Sequence, residues 1–349
     1  MATAAAWELT GRPDGPPLVP PQGVIERMEA LGSPLGIDPL PLLAERAAAA
    51  GLQRAGSTTC GGAGRLLRAL DGWLAVNLPR DDDLQAVAAW LEVEDADDPW
   101  AVVTGTVRRR TCVELVERAR LLGLAVAALG EVPARPEPVR ALATGDAAPL
   151  TRPPVVVDLS ALWAGPLCTR LLADHGAEVI KVESPARPDG LRRGPRGFFE
   201  RLNGGKQEVV CDLRSPELHT LLGDADVVVV ASRARALDQL GLVAEELRPQ
   251  VWLSITGYGR AVDRVAFGDD AAVAGGLVAS DAEGPVFLAD AVADPLSGIA
   301  SAVAVDAALR AGGRWLVDTS MSGVAAWVAA GSRIGSSPWK GPTISSRSS

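Results

Sequence analysis

Residues 155–183 read VVVDLSALWAGPLCTRLLADHGAEVIKVE, and their pattern decides the fold. Val155, Val156 and Val157 are β-branched and unbroken by charge, as a strand buried on both faces requires. A short loop over Ser160 to Gly165 leads into a helical run with apolar residues at Leu167, Leu171 and Leu172. His175-Gly176 marks the helix stop, since glycine enters the left-handed conformation at little cost. Ala177 to Val182 makes a second strand, closed by Glu183. One β-α-β unit of this kind seeds a doubly wound, mostly parallel α/β sheet.

Downstream the alternation continues. Glu208 to Asp212 reads as a third strand. Ser215-Pro216-Glu217 opens a helix, with serine capping, proline at the first position and an acid in the first turn. Asp226 to Val230 is a buried strand by its valines, and Arg233 stands just past its carboxyl end, where open α/β sheets bind ligands. Leu237 to Leu247 is a helix stopped by Pro249. Val251 to Thr256 is the next strand and runs into Gly257-Tyr258-Gly259. Those glycines let a backbone approach a ligand closely, although a lone GxG is a weak signal. No GxGxxG follows Asp158, which disfavours a nicotinamide dinucleotide.

Between Glu183 and Glu208 the chain turns basic, with Arg187, Arg192, Arg193, Arg196, Arg201 and Lys206 set against Asp189 and Glu200. In a chain of net charge −9 this reversal fits either a collar for an anionic ligand or a solvated loop. Acids gather further on. Asp269 and Asp270 lie in AFGDDAAVAGGLVAS, residues 266–280, where adjacent acids either decorate a helix N-terminus or carry chemistry. Asp290 and Asp294 follow in FLADAVADPLSG. The only two histidines are His175, at a predicted helix end, and His219, in a polar helix start. Catalysis in this chain therefore rests on carboxylates or is absent.

The totals narrow the classes. With 349 residues and 48% hydrophobic composition, the chain has room for two domains. Its negative charge argues against nucleic acid as a partner. The cysteines, at 60, 112, 168 and 211, show neither paired nor CxxC spacing; they fit reduced thiols in a cytoplasmic protein, with no metal site. No leader-like start is visible, and no apolar segment reaches the ~18 residues of a membrane span.

Residues 1–64 are rich in Ala, Pro and Gly and read as an N-terminal arm, with a short helix over Pro41 to Ala50. Residues 65–133 read as a small α+β domain. Asp71-Gly72 turns the chain before the strand WLAVNL. Asp81 to Asp83 cap a following helix, and Thr111 to Leu122 makes an amphipathic one. Residues 134–154 have linker composition, 155–330 make the large α/β domain, and 331–349 read as a disordered, Ser-rich tail.

The motifs DLS-x3-AGP-x-CTRLLAD-x-GAEVIKVE, LNGGK-x4-CDLRSPE, ADVVVVASRARALDQLGL, SITGYG, ADPLSG and VDTSM occur in an order that resembles the family III (CaiB/BaiF-type) CoA transferases, which include the α-methylacyl-CoA racemases. The resemblance covers about half the chain. It implies a Rossmann-like CoA-binding domain, a cytoplasmic homodimer, and acyl-CoA and a small carboxylic acid as substrates, with no tightly bound cofactor. It implies that Arg233, Lys206, Arg192, Arg193, Glu183, Ser160 and Gly165 hold CoA, and that Asp294 is a second acid lining the site. Asp269 or Asp270 falls at the transferase nucleophile, which attacks the thioester to form an aspartyl anhydride and then an aspartyl-CoA thioester. Asp269 is expected to be ionised near neutrality, with Gly275 and Gly276 N–H groups as oxyanion donors. The racemases carry a histidine before that aspartate, and here Gly268 stands there, which disfavours the alternative of an acyl-CoA racemase or epimerase. A further alternative is a non-catalytic CoA-binding scaffold subunit. TG-x-PDGPP at residues 10–17 is a phrase the family carries later, and residues 65–133 resemble its small domain. A permuted or partly duplicated order is therefore expected.

Overall fold

A computed structural model of the chain describes residues 2–94, 97–247, 249–332, 339 and 341. The first strands, β1 (Gly64–Arg68), β2 (Trp73–Asn77) and β3 (Ala125–Ala128), form a three-stranded antiparallel sheet. Next come β4 (Arg140–Gly145), β5 (Val155–Asp158), β6 (Glu178–Glu183), β7 (Gln207–Val210), β8 (Val227–Val230) and β9 (Val251–Thr256). The hairpin β10 (Ala279–Asp281) and β11 (Gly284–Val286) precedes the last strand, β12 (Arg314–Ser320). A seven-stranded sheet runs in the order β4-β12-β9-β8-β5-β6-β7, and every pairing in it is parallel except β4 with β12. Counted from β5, the parallel strands stand 3-2-1-4-5-6, the order of a doubly wound dinucleotide-type fold. The strand order reverses between β5 and β8, and the crevice outside their carboxyl ends is where such sheets take ligands.

Composition explains the centre of the sheet. β8 is four buried valines, and β5 is buried from Val156 to Asp158, as central parallel strands covered on both faces require. Helix α1 (Ala164–Asp174) returns over one face and ends where expected, with His175 as its C-cap and Gly176 at φ +95°. Helix α3 (Ala293–Ala311) packs beside α1 on that face, and α2 (Gly268–Ala274) and α4 (Met321–Ala329) pack against α3. Gly298 lets α3 approach α1: a Cβ there would lie 2.7 Å from the Ala164 carbonyl oxygen.

The small sheet has its own core, around Leu74, Val76, Trp90, Val103, Leu115 and Val126. It docks on α2 through backbone bonds from Gly130 N to the Val273 carbonyl and from Val132 N to the Ala274 carbonyl, both 2.9 Å.

Three expectations give way. The arm is not merely a connection: Gln22–Gly32 is a helix whose Val24, Ile25, Met28 and Leu31 share the main core with α3 and α4. The supposed linker supplies β4, an edge strand needing only one hydrogen-bonded neighbour, β12. The helix over 237–247 is two pieces, Ala234–Asp238 and Ala244–Leu247, separated near Gly241 at φ +74°. The tail at 331–349 falls mostly outside the described residues; Trp339 within it is buried, 6.5 Å from the Trp327 ring centre. No helix among the described residues is long and apolar enough to cross a membrane.

Candidate active site

The acids expected to carry chemistry come together where α2 and α3 begin. Phe267 is extended and α2 starts at Gly268. Asp270 completes the helix start: its Oδ1 accepts from Phe267 N at 3.0 Å and from Asn77 Nδ2 of β2 at 3.1 Å. Its Oδ2 is buried with no hydrogen-bond partner. Asp269 points to the other strand of chain, its Oδ1 accepting from Ala291 N at 3.0 Å. Asp294 lies in the first turn of α3, half-buried and hard against Gly268. Asp290 completes the cluster, fully buried, and accepts both Nε (2.8 Å) and Nη2 of Arg46. Its neighbours Ala289 and Ala291 sit at φ +51° and +44°, a strained conformation for alanine that concentrates at functional sites.

Burial dominates the electrostatics. It pushes the Asp269 carboxyl up to about 8, helped by Asp290 and opposed by Arg46 and the Ala291 N–H. It lifts Asp294 to about 7 against Arg46, and Asp270 to about 6 against the hydrogen bonds from Asn77 and Phe267 N. Burial thus works against the expected ionisation of Asp269 near neutrality, because desolvation outweighs the N-terminus of so short a helix. The proposed oxyanion donors are also occupied: Gly275 N donates to Ala271 O and Gly276 N to Val273 O.

The expected CoA ligands are placed differently from one another. Lys206 is buried, and its Nζ donates to Thr169 Oγ1 (2.7 Å), Asn203 Oδ1, Pro166 O (both 3.0 Å) and Asp158 Oδ2 (3.2 Å). Those partners exhaust an ammonium's three donors, so Lys206 locks α1 to the end of β5 and is not available to a phosphate. Ser160 joins the same knot through its hydroxyl on Asp158 Oδ1. Gly165 is required for packing, since a Cβ there would fall 2.1 Å from Ser160 Oγ. Glu183 is buried and accepts from Asp189 N (2.7 Å) and from Arg192, which also reaches Glu208. Arg196 and Arg201 pair with Glu200 and Glu45, so much of the basic loop is neutralised by its own neighbours. Arg193 is exposed. Arg233 is exposed at the carboxyl end of β8, paired with Asp263 at 2.8 Å, beside the switch-point crevice.

Trp163, in the loop after β5, lies with its ring centre 5.7 Å from the Arg46 guanidinium carbon, and its Nε1 is buried without a partner. Two cavities of about 480 and 510 Å³ open along β4 and β12, lined by Leu142 and Leu316; neither is lined by the carboxylates. No group of His, Cys, Asp and Glu among the described residues is arranged to hold a metal ion. His175 binds the Leu171 and Leu35 carbonyls, and His219 is exposed.

The comparisons with known proteins agree with this fold. The family model for CoA-transferase family III matches residues 154–345, and the chain belongs to that family. The succinate–glutarate CoA-transferase of Agrobacterium fabrum is 33% identical over 192 residues, 46% of this chain and 48% of its own. The (R)-2-hydroxy-4-methylpentanoate CoA-transferase of Clostridioides difficile is 36% identical over 123 residues, 30% of this chain and 31% of its own. The α-methylacyl-CoA racemase of Homo sapiens is 32% identical over 114 residues, 30% of this chain and 28% of its own. The chain thus spans about half, or less, of the length of these relatives.

Proposed function

We propose that the protein is an acyl-CoA:carboxylate CoA transferase with Asp269 as its nucleophile. The observation that carries this is the enclosed acidic cluster, in which Asp269, Asp270 and Asp294 are all pushed above the ordinary carboxylate range. Carboxyls perturbed by burial and by like charge gather at functional sites. Asp269 is favoured over Asp270 because Asp270 is engaged by Asn77 and by its own helix start, whereas Asp269 faces Asp290 and Arg46.

Acyl-CoA would lie in the β5–β8 crevice, near Arg233. Ionised Asp269 attacks the thioester carbonyl, and collapse of the tetrahedral adduct expels the CoA thiolate and leaves a mixed anhydride. The thiolate attacks the aspartyl carbonyl, releasing the donor acid and leaving an aspartyl-CoA thioester. The acceptor carboxylate displaces the thiolate from that thioester. Thiolate attack on the acceptor's carbonyl then yields the new acyl-CoA and free Asp269. CoA is a substrate here, and a small carboxylic acid is the other. A cytoplasmic homodimer remains the expectation from the family.

A second reading, a non-catalytic CoA-binding subunit, is favoured by one observation: Asp269 is only 8% exposed. A mass-spectrometric screen of acyl-CoAs against isotopically labelled carboxylic acids separates the two. New CoA thioesters support transfer, and CoA binding without exchange across a broad panel supports the scaffold.

A further inference from the structure

The N-terminal arm carries a guanidinium into the acidic cluster, that of Arg46 in the short helix Glu45–Ala50. Its partner Asp290 lies 244 residues away in sequence, between the strained Ala289 and Ala291. Strain of that kind persists only where surrounding contacts over-determine it. The arm provides them: Thr10 Oγ1 accepts from Ala289 N at 2.9 Å, and Arg46 holds Asp290 through two parallel bonds. Besides Asp290, the guanidinium faces Asp269 and Asp294.

We propose that Arg46 is a positioning residue for the transfer reaction: its fork fixes the Ala289–Ala291 turn through Asp290, and its charge faces the carboxylates of Asp269 and Asp294. The inference rests on these carboxylates being the reactive groups. The groups around Arg46 come from several elements. Helix α2 contributes Asp269, with Asp270 behind it; the turn contributes Asp290; α3 contributes Asp294. The arm itself adds the Cys60 thiol, pushed up to about 12 by burial and so neutral. Asn77 is neutral, and Arg264 acts on Asp270. Arg46 opposes the burial that raises Asp269 and Asp294. A planar fork suits a two-point grip that an ammonium cannot reproduce.

The test compares Arg46→Gln, Arg46→Lys and Arg12→Gln by two readouts, the pH profile of CoA exchange and the pH dependence of urea unfolding. Arg12 anchors the same arm by its pair with Asp281 and faces Asp281 and Glu283 instead of the cluster. Arg46→Gln is expected to move both profiles to higher pH by about one unit and to slow exchange at pH 7 roughly tenfold, the loss for a one-unit rise in a carboxylate above that pH. Arg46→Lys is expected to keep the pH position and lose rate. Arg12→Gln is expected to leave both profiles in place. Equal shifts in Arg46→Gln and Arg12→Gln would reduce Arg46 to an arm anchor and overturn the proposal, as would an unmoved unfolding profile in Arg46→Gln. If Arg46→Gln fails to fold, an Arg46→Lys enzyme with unchanged rate overturns it. An unfolding profile that moves as expected, in a protein that exchanges no CoA, keeps the hold of Arg46 on the turn and on the carboxylates and removes the transferase assignment, and with it a role in transfer.

Discussion

Gly268 shows how little room the acidic cluster leaves. A Cβ there would lie 2.3 Å from Asp294 Oδ2 and 2.4 Å from the Ala291 carbonyl oxygen. Gly268→Ala should therefore cost about 1–3 kcal/mol or more, the range for overpacking, measured by urea unfolding. Asp269 makes a second prediction, in pH. Its folded-state value, about 8, lies above the ~3.9 of a free aspartate, so the native state holds the proton more tightly than the unfolded chain. The stability this contributes is complete below about pH 4 and is lost as pH rises through about 8. The unfolding midpoint should fall between pH 5 and pH 8, and Asp269→Asn should flatten that fall; an equally steep fall in the variant would assign it to other groups. Part of this was legible in the sequence. Asp269, Asp270 and Asp294 stood out as acids beside small-residue runs, but their ionisation follows from burial that no local pattern reveals. Arg46 carried no signal, because its partner is remote in the chain. Lys206 misled for a related reason: beside glycines a lysine looks ready for phosphate, and only the fold brings Asp158 against it.

At the scale of elements, β5, α1 and β6 could be read directly, since valine runs and His175-Gly176 act locally. The helix Gln22–Gly32 was obscured by the prolines before it, although Val24, Ile25, Met28 and Leu31 have helical spacing. Strand β4 was hidden because an edge strand can be short and polar and still pair, so RALATG resembles a linker. The arm's role in the core is testable. Met28 is fully buried there, and Met28→Ala should cost about 2–5 kcal/mol in unfolding free energy. A cost under about 0.5 kcal/mol, ordinary for surface positions, would return the arm to a passive connection.

For the whole molecule, the separation of the three-stranded from the seven-stranded sheet and the match beginning at residue 154 support our proposal of a permuted or partly duplicated chain, with a small domain over 65–133 ahead of the large one. Sequence order alone could not say how the small unit meets the large one; in the structure β2 and the turn after β3 close over α2. If CoA lies across the β5–β8 crevice, Arg233→Ala should weaken its binding by about 1.5–3 kcal/mol, the range for a charge-assisted hydrogen bond; unchanged affinity in calorimetry would remove Arg233 from the site. The proposed transfer depends on acylation of Asp269. It is tested most directly by incubating the protein with acyl-CoAs near pH 8, digesting it, and weighing the peptide that contains Asp269 and Asp270. Acylation of Asp269 predicts an adduct on that peptide that hydroxylamine cleaves, lost in Asp269→Ala and kept in Asp270→Ala. An adduct that survives Asp269→Ala, or none with any acyl-CoA while CoA still binds, would contradict it.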